Sequence, residues 1–113
     1  MDSTVPPVRT VLFICRWNRC RSPTAERMFA KRPDLDVRSA GTSNVALVQV
    51  NQRMLEWADT IFIMDRDQRQ ALRSMFPNHP ALERLICLDI PDDYQFLQPE
   101  LMTVLEDRVK GHL

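Results

Sequence analysis

The run Val11-Leu12-Phe13-Ile14-Cys15, with Arg21-Ser22-Pro23 following it after five intervening residues, constrains this chain more than any other feature. Four apolar residues in a row predict a strand buried on both faces. Ser-Pro predicts a helix start, with Ser22 at the N-cap and Pro23 at N1, the first helical residue. Cys15 is thereby placed where a strand ends, in a short loop that feeds a helix N-terminus. Free backbone N–H groups and the helix dipole make such a loop a cradle for anions. Arg21 adds a forked cation suited to phosphate-like oxygens. The same field suits a thiolate at Cys15, the nucleophilic form of the residue.

The rest of the chain repeats the alternation of strand and helix. Strand one is expected over about Thr10 to Ile14, followed by a helix that buries Ala25, Met28 and Phe29 and ends at Arg32-Pro33. Asp36 to Thr42 reads as a short strand broken by Gly41, where the backbone comes close to something else. Ser43 to Val50 is a loop, and a second helix from near Asn51 carries Met54, Leu55 and Ala58. Thr60 to Met64 is a third buried strand. Asp65-Arg66-Asp67 caps a helix carrying Ala71, Leu72, Met75 and Phe76, which Pro77 stops. Leu85 to Leu88 is a fourth buried strand, and Cys87 within it reads as core. A polar loop, Asp89 to Tyr94, leads to a last helix opened by Gln98-Pro99-Glu100, with Leu101, Val104, Leu105 and Val109 on one face. This order predicts an α/β fold, a four-stranded parallel sheet with helices on both faces and the anion loop after strand 1. Ligands of such sheets bind beyond the carboxyl ends of the strands, where Cys15 and the Asp89–Tyr94 loop meet.

Composition narrows the function classes. The 113 residues suffice for one domain, with Met1 to Val8 as a loose lead-in. The formal net charge is zero, which argues against nucleic acid as a partner. No apolar stretch approaches membrane-spanning length, and the N-terminus has no signal-peptide core, so the expected location is cytoplasmic, away from any membrane. The three cysteines, Cys15, Cys20 and Cys87, form no C-x-x-C pair, and His79 and His112 lie far from them in sequence. Neither a disulfide framework nor a zinc site is expected, and no cofactor is called for.

Cys15-x5-Arg21-Ser22 is the phosphate-binding signature of the protein tyrosine phosphatases, and its place after the first strand resembles the low-molecular-weight class. That family reads Val-Cys-x-Gly-Asn-x-Cys-Arg-Ser-Pro-x-Ala-Glu here, against which Cys15, Asn18, Cys20, Arg21, Ser22, Pro23, Ala25 and Glu26 stand in register. Ser39-Ala40-Gly41-Thr42, the stretch Trp57 to Asp65 and the stretch Asp89 to Tyr94 resemble three further blocks, the last with Asp93 in the proline position. The chain looks like a short member of the family. Trp17 replaces the usual loop glycine, and Arg16 and Arg19 are unusually basic neighbours.

The resemblance implies a metal-independent phosphatase acting on phosphotyrosine proteins or small aryl phosphates, releasing inorganic phosphate through a phosphocysteine. Cys15 would attack phosphorus, and Arg21 would clamp two equatorial oxygens. Ser22 would donate toward the sulfur, and Asn18 would hold the loop open through its side chain, besides tolerating a left-handed backbone. Asp92 aligns with the family's general acid, with Asp93 and Asp89 as alternatives. Trp17 and Tyr94 are candidate walls for a phenyl ring, Arg16 and Arg19 candidates for steering an anionic substrate, and Cys20 a candidate redox partner for Cys15. Two other readings share this loop. A thiol-linked arsenate reductase needs further mobile cysteines, of which only Cys87 is available. A non-catalytic phosphate- or phosphoprotein-binding module would have lost its acid.

Overall fold

A computed structural model describes residues 8–113, so the lead-in expected over Met1 to Val8 falls, but for Val8, outside the described residues. Strands β1 (Arg9–Cys15), β2 (Leu35–Gly41), β3 (Thr60–Ile63) and β4 (Leu85–Cys87) form one fully parallel sheet in the order β2-β1-β3-β4. The helices are α1 (Arg21–Phe29), α2 (Gln52–Trp57), α3 (Arg66–Met75) and α4 (Pro99–Val109). The predicted fold class is what is found.

The apolar run explains why β1 is central. Val11 to Ile14 have no exposed surface, and successive side chains feed opposite layers. Val11, Phe13 and Cys15 join Ala25 of α1 and Leu101, Leu105 and Val109 of α4. Leu12 and Ile14 join Leu55 of α2 and Leu72 of α3. The Phe13 ring stacks between Phe29 and Phe62, at centroid distances of 5.7 and 5.0 Å. The amino-terminal ends of β1 and β3 are tied by a reciprocal polar pair. Thr10 N–H donates to Asp59 Oδ2 at 3.0 Å, and Asp59 N–H donates back to Thr10 Oγ1 at 2.8 Å. That contact holds the Asp59 carboxyl below its ordinary range.

The chain leaves β1 toward β2 on one side, then crosses back to place β3 on the other. The carboxyl ends of β1 and β3 therefore flank the switch point, where a crevice is expected. Met64 N–H donates to the Ile14 carbonyl at 3.1 Å and Ile90 N–H to the Met64 carbonyl at 2.7 Å, so all three loops leave the sheet at one edge.

Two local expectations are corrected. Helix α1 begins two residues earlier than predicted, with Cys20 at the N-cap position, Arg21 as the first helical residue and no side-chain cap, so Ser22 is not the N-cap and Pro23 does not open the helix. Its hydroxyl turns to Cys15 instead. Cys87 is not sealed in the core, because β4 ends there and leaves it half-buried beside Asp89 and the arginines of α3. The sequence reading also omitted a 3-10 turn at Pro80–Arg84, opened by His79 Nδ1 accepting from Ala81 N–H.

Candidate active site

Cys15 is the last residue of β1, and its sulfur lies at the floor of the loop with 2% of the residue exposed. Asn18 N–H donates to Cys15 Sγ at 3.2 Å, and Ser22 Oγ is 2.9 Å from the same sulfur. Asn18 makes this turn possible with a left-handed backbone, φ 54°, which asparagine tolerates better than most residues. Its side-chain Nδ2 donates to both Ser22 Oγ and Ser39 Oγ at 2.9 Å, and Ser39 Oγ donates to Glu26 Oε1. Among the described residues, the N–H groups of Arg16, Trp17, Arg19, Cys20 and Arg21 meet no protein acceptor. A loop of unpaired N–H groups at a helix N-terminus is a concave anion site.

Gly41 is required by close approach, as the sequence reading expected. A Cβ there would lie 2.7 Å from Arg16 O and from Ala46 Cβ, and 3.0 Å from Asn18 N. The segment after β2 is laced to the cysteine loop by Thr42 N–H to Cys15 O, Ser43 N–H to Arg16 O and Leu47 N–H to Trp17 O.

Arg21 is only 2% exposed. Its Nη1 donates to Asp65 Oδ2 at 2.6 Å and to the Ile90 carbonyl at 2.8 Å. Asp92 Oδ1 stands 3.5 Å from Nε, close enough for Coulombic attraction, yet Nε has no hydrogen-bond partner. A buried donor without an acceptor costs about 1–3 kcal/mol, more where it is charged. One edge of the guanidinium is thus occupied by protein and the Nε edge is left for another acceptor.

The other predicted residues distribute unevenly. Asp92 is exposed beside Arg21, whereas Asp93 is exposed with no hydrogen-bond or ion-pair partner among the described residues. Asp89 lines a groove with Arg66, Arg69 and Arg73, and its carbonyl accepts from Arg108. Trp17 is half-buried under the Arg16 guanidinium, 4.6 Å from its ring centroid, and Arg16 and Arg19 are exposed. Tyr94 is half-buried against the core layer that contains Cys15. Cys20 is half-buried, and all three cysteines are free thiols. Among the described residues no three His, Cys, Asp or Glu side chains are grouped to hold a metal ion, and no helix is long and apolar enough to cross a membrane.

Asp65, Ser39 and Glu26 were not singled out as site residues from sequence. Asp65 was read only as a helix cap, and it is one, accepting from Asp67 N–H through Oδ1 while Oδ2 takes Arg21. Ser39 offered a usable signal, since it is a polar residue on the same face of its strand as the buried Leu35 and Val37.

Residues 10–56 match the family model described as low molecular weight phosphotyrosine protein phosphatase. No curated protein is similar enough in sequence to match. Solved structures do match across nearly the whole chain. The YwlE arginine phosphatase from Geobacillus stearothermophilus is 21% identical, with 89% of this chain and 90% of that one covered and a TM-score of 0.69. SP-PTP, a low molecular weight protein tyrosine phosphatase from Streptococcus pyogenes, is 18% identical, with 94% of each chain covered and a TM-score of 0.75. The tyrosine phosphatase Wzb from Escherichia coli K30, solved in complex with phosphate, is 20% identical, with 91% and 94% covered and a TM-score of 0.74.

Proposed function

We propose that this chain is a low-molecular-weight phosphatase, the family its loop segment and its fold resemble, and that it hydrolyses phosphotyrosine or similar aryl phosphate monoesters through a phosphocysteine. The observation that carries the reading is the buried Arg21 with its unpaired Nε, joined through α1 to a loop of unpartnered N–H groups around Cys15. A phosphoryl group supplies the acceptors that these donors lack.

In the first step the Cys15 thiolate attacks phosphorus. The S–P bond forms as the bond from phosphorus to the phenolic oxygen breaks, and that oxygen takes a proton from the Asp92 carboxyl. In the second step water attacks phosphorus while the Asp92 carboxylate accepts its proton. The S–P bond breaks, and inorganic phosphate leaves. Arg21 holds two equatorial oxygens through its Nε edge, and Ser22 with Asn18 N–H stabilises the departing sulfur anion. Of the three acids considered, Asp92 is supported by its place 3.5 Å from Arg21 Nε, whereas Asp89 lines the groove with the arginines of α3.

Turnover of p-nitrophenyl phosphate in the presence of EDTA tests this directly. Wild type is expected to be active, Cys15→Ser inactive, and Asp92→Asn reduced by about 10²–10⁴-fold, the usual worth of a general acid. EDTA-sensitive turnover, or full activity in Cys15→Ser, overturns the reading. Activity only with arsenate and a thiol donor identifies a reductase, and phosphate affinity without turnover a binding module.

A second substrate deserves a place in the same assay because a structural neighbour is titled an arginine phosphatase. Phosphotyrosine and phosphoarginine peptides of one sequence decide between them. The half-buried indole of Trp17 favours the aryl ester.

A further inference from the structure

We infer that Glu26 is a positioning residue for Cys15, acting from α1 through Ser39, Asn18 and Ser22; the inference rests on the reading of Cys15 as the nucleophile. Three of the connecting side chains are buried, Asn18 at 3%, Ser22 at 0% and Ser39 at 8% exposed. Water is therefore a poor competitor for their hydrogen bonds.

Counting protons fixes the direction of the chain. A carboxylate only accepts, so the single Ser39 hydroxyl proton goes to Glu26. The Ser39 oxygen is then free to accept from Asn18 Nδ2 at 2.9 Å, and the second Nδ2 hydrogen goes to Ser22 Oγ at 2.9 Å. Asn18 Oδ1 accepts from Val48 N–H at 3.2 Å, which sets the orientation of the amide. Ser22 already accepts from Asn18, so its own proton goes to Cys15 Sγ at 2.9 Å or to the Ala40 carbonyl at 3.3 Å. The sulfur is nearer, and as a thiolate it is the stronger acceptor. Every donor thus points outward from Asn18, toward an anion at each end.

Removing the acceptor at Glu26 releases the Ser39 proton. It then competes with Val48 N–H for Asn18 Oδ1, and each turn of the amide oxygen toward the serines draws the Ser22 proton from sulfur to that oxygen. The thiolate loses a hydroxyl donor. The bare charge of Glu26 works in the opposite sense, because one anion opposes a second nearby. The two effects therefore have opposite signs. The other charged groups around Cys15 are Arg16 and Arg19 in its loop, Arg21 on α1, Asp65 after β3 and Asp92 after β4, and none is altered in the test.

The experiment is the pH dependence of Cys15 alkylation by iodoacetate, read on the Cys15 peptide by mass spectrometry, with a thermal melt of each variant. Trypsin cleavage at Arg16 and Arg19 separates Cys15 from Cys20. Glu26→Ala is expected to move the alkylation midpoint up by about one pH unit, the worth of one hydrogen bond to a charged group. Glu26→Gln keeps an acceptor oxygen and drops the opposing charge, so its midpoint is expected at or slightly below that of wild type. Ser39→Ala breaks the same connection and keeps the Glu26 charge, so it should raise the midpoint at least as far as Glu26→Ala, and adding Glu26→Ala to it should raise the midpoint no further. A midpoint that is unmoved or lowered in Glu26→Ala, or shifted equally in Glu26→Gln, overturns the inference. If Glu26→Ala does not fold, Ser39→Ala alone decides by the same criterion. Alkylation does not depend on turnover, so an inactive wild type would sink the hydrolase reading and leave this result to stand or fall separately.

Discussion

Arg21 Nη1 lies 2.6 Å from Asp65 Oδ2, which joins the first helix to the carboxyl end of the third strand across the switch point of the sheet. Arg21 is buried while Asp65 keeps some solvent contact. The carboxylate thus compensates a charge that would otherwise be stranded, and by engaging Nη1 it leaves Nε without a hydrogen-bond partner. Breaking a buried pair from one side costs about 3–5 kcal/mol, and the partial exposure of Asp65 places this one near the lower end. Asp65→Ala is expected to lose about 3 kcal/mol in a urea melt and about 100-fold in kcat/KM on p-nitrophenyl phosphate. Asp65→Asn keeps one acceptor oxygen, for Arg21 or for the helix cap but not both, so its losses should be smaller than those of Asp65→Ala. Equal activity in Asp65→Ala and wild type would mean that Arg21 needs no such holder.

Gly41 has no room for a methyl group, because both Arg16 O and Ala46 Cβ stand 2.7 Å from where it would be. One of those contacts is backbone of the cysteine loop, which cannot rotate away as a flexible side chain would. Gly41→Ala is therefore expected to push the loop off its N–H cradle. Displacements of about 1 Å at a catalytic site cost on the order of 100-fold. The loss should appear in kcat/KM and in phosphate affinity together, measured by turnover and by competitive inhibition.

Asp59 supplies the acid dependence of stability. Hydrogen bonds from Thr10 N–H hold its folded-state ionisation below the ordinary value. A carboxyl depressed on folding stabilises the protein above its unfolded pKa, about 3.9, and that stability is lost as pH falls through the lower folded value. The group is exposed, so solvent screening keeps the contribution below about 1 kcal/mol. Asp59→Asn is expected to lower Tm by a few degrees at pH 7. Its Tm should then fall less than that of wild type between about pH 5 and pH 2, so that the two melting curves converge in acid.

The apolar runs made the strands legible, since Val11 to Ile14 and Ile61 to Ile63 are buried on both faces as uninterrupted runs require. Strand order was not legible, because the pairing of β1 with β3 joins residues some fifty positions apart and no local pattern encodes it. That Cys15, Asn18 and Arg21 come together was readable because they belong to one short loop. For Ser22 the N-cap expectation failed and the turn toward sulfur implied by the resemblance is found, because a serine beside proline at a helix start has the same signature in both uses. Asp65 and Glu26 were missed as site residues because their partners, Arg21 and Ser39, come from distant or separate elements. Each also has an ordinary helical use that accounts for it locally.

Trp17 occupies the position where a glycine is usual in this loop, and its half-buried ring carries the Arg16 guanidinium at 4.6 Å. A cation over the ring face keeps that face engaged and helps hold the indole in one orientation. A phenyl ester entering the loop would then meet a fixed aromatic edge, and such contacts are worth about 0.5–1.5 kcal/mol beyond area burial. Trp17→Ala is expected to lower kcat/KM on a phosphotyrosine peptide by about 10-fold, chiefly through KM, while leaving hydrolysis of an alkyl phosphate unchanged. Arg16→Ala should give a smaller loss of the same kind, because it frees the indole without removing it. If the alkyl and aryl substrates lose rate equally in Trp17→Ala, the residue supports the loop and is not a wall for the ring.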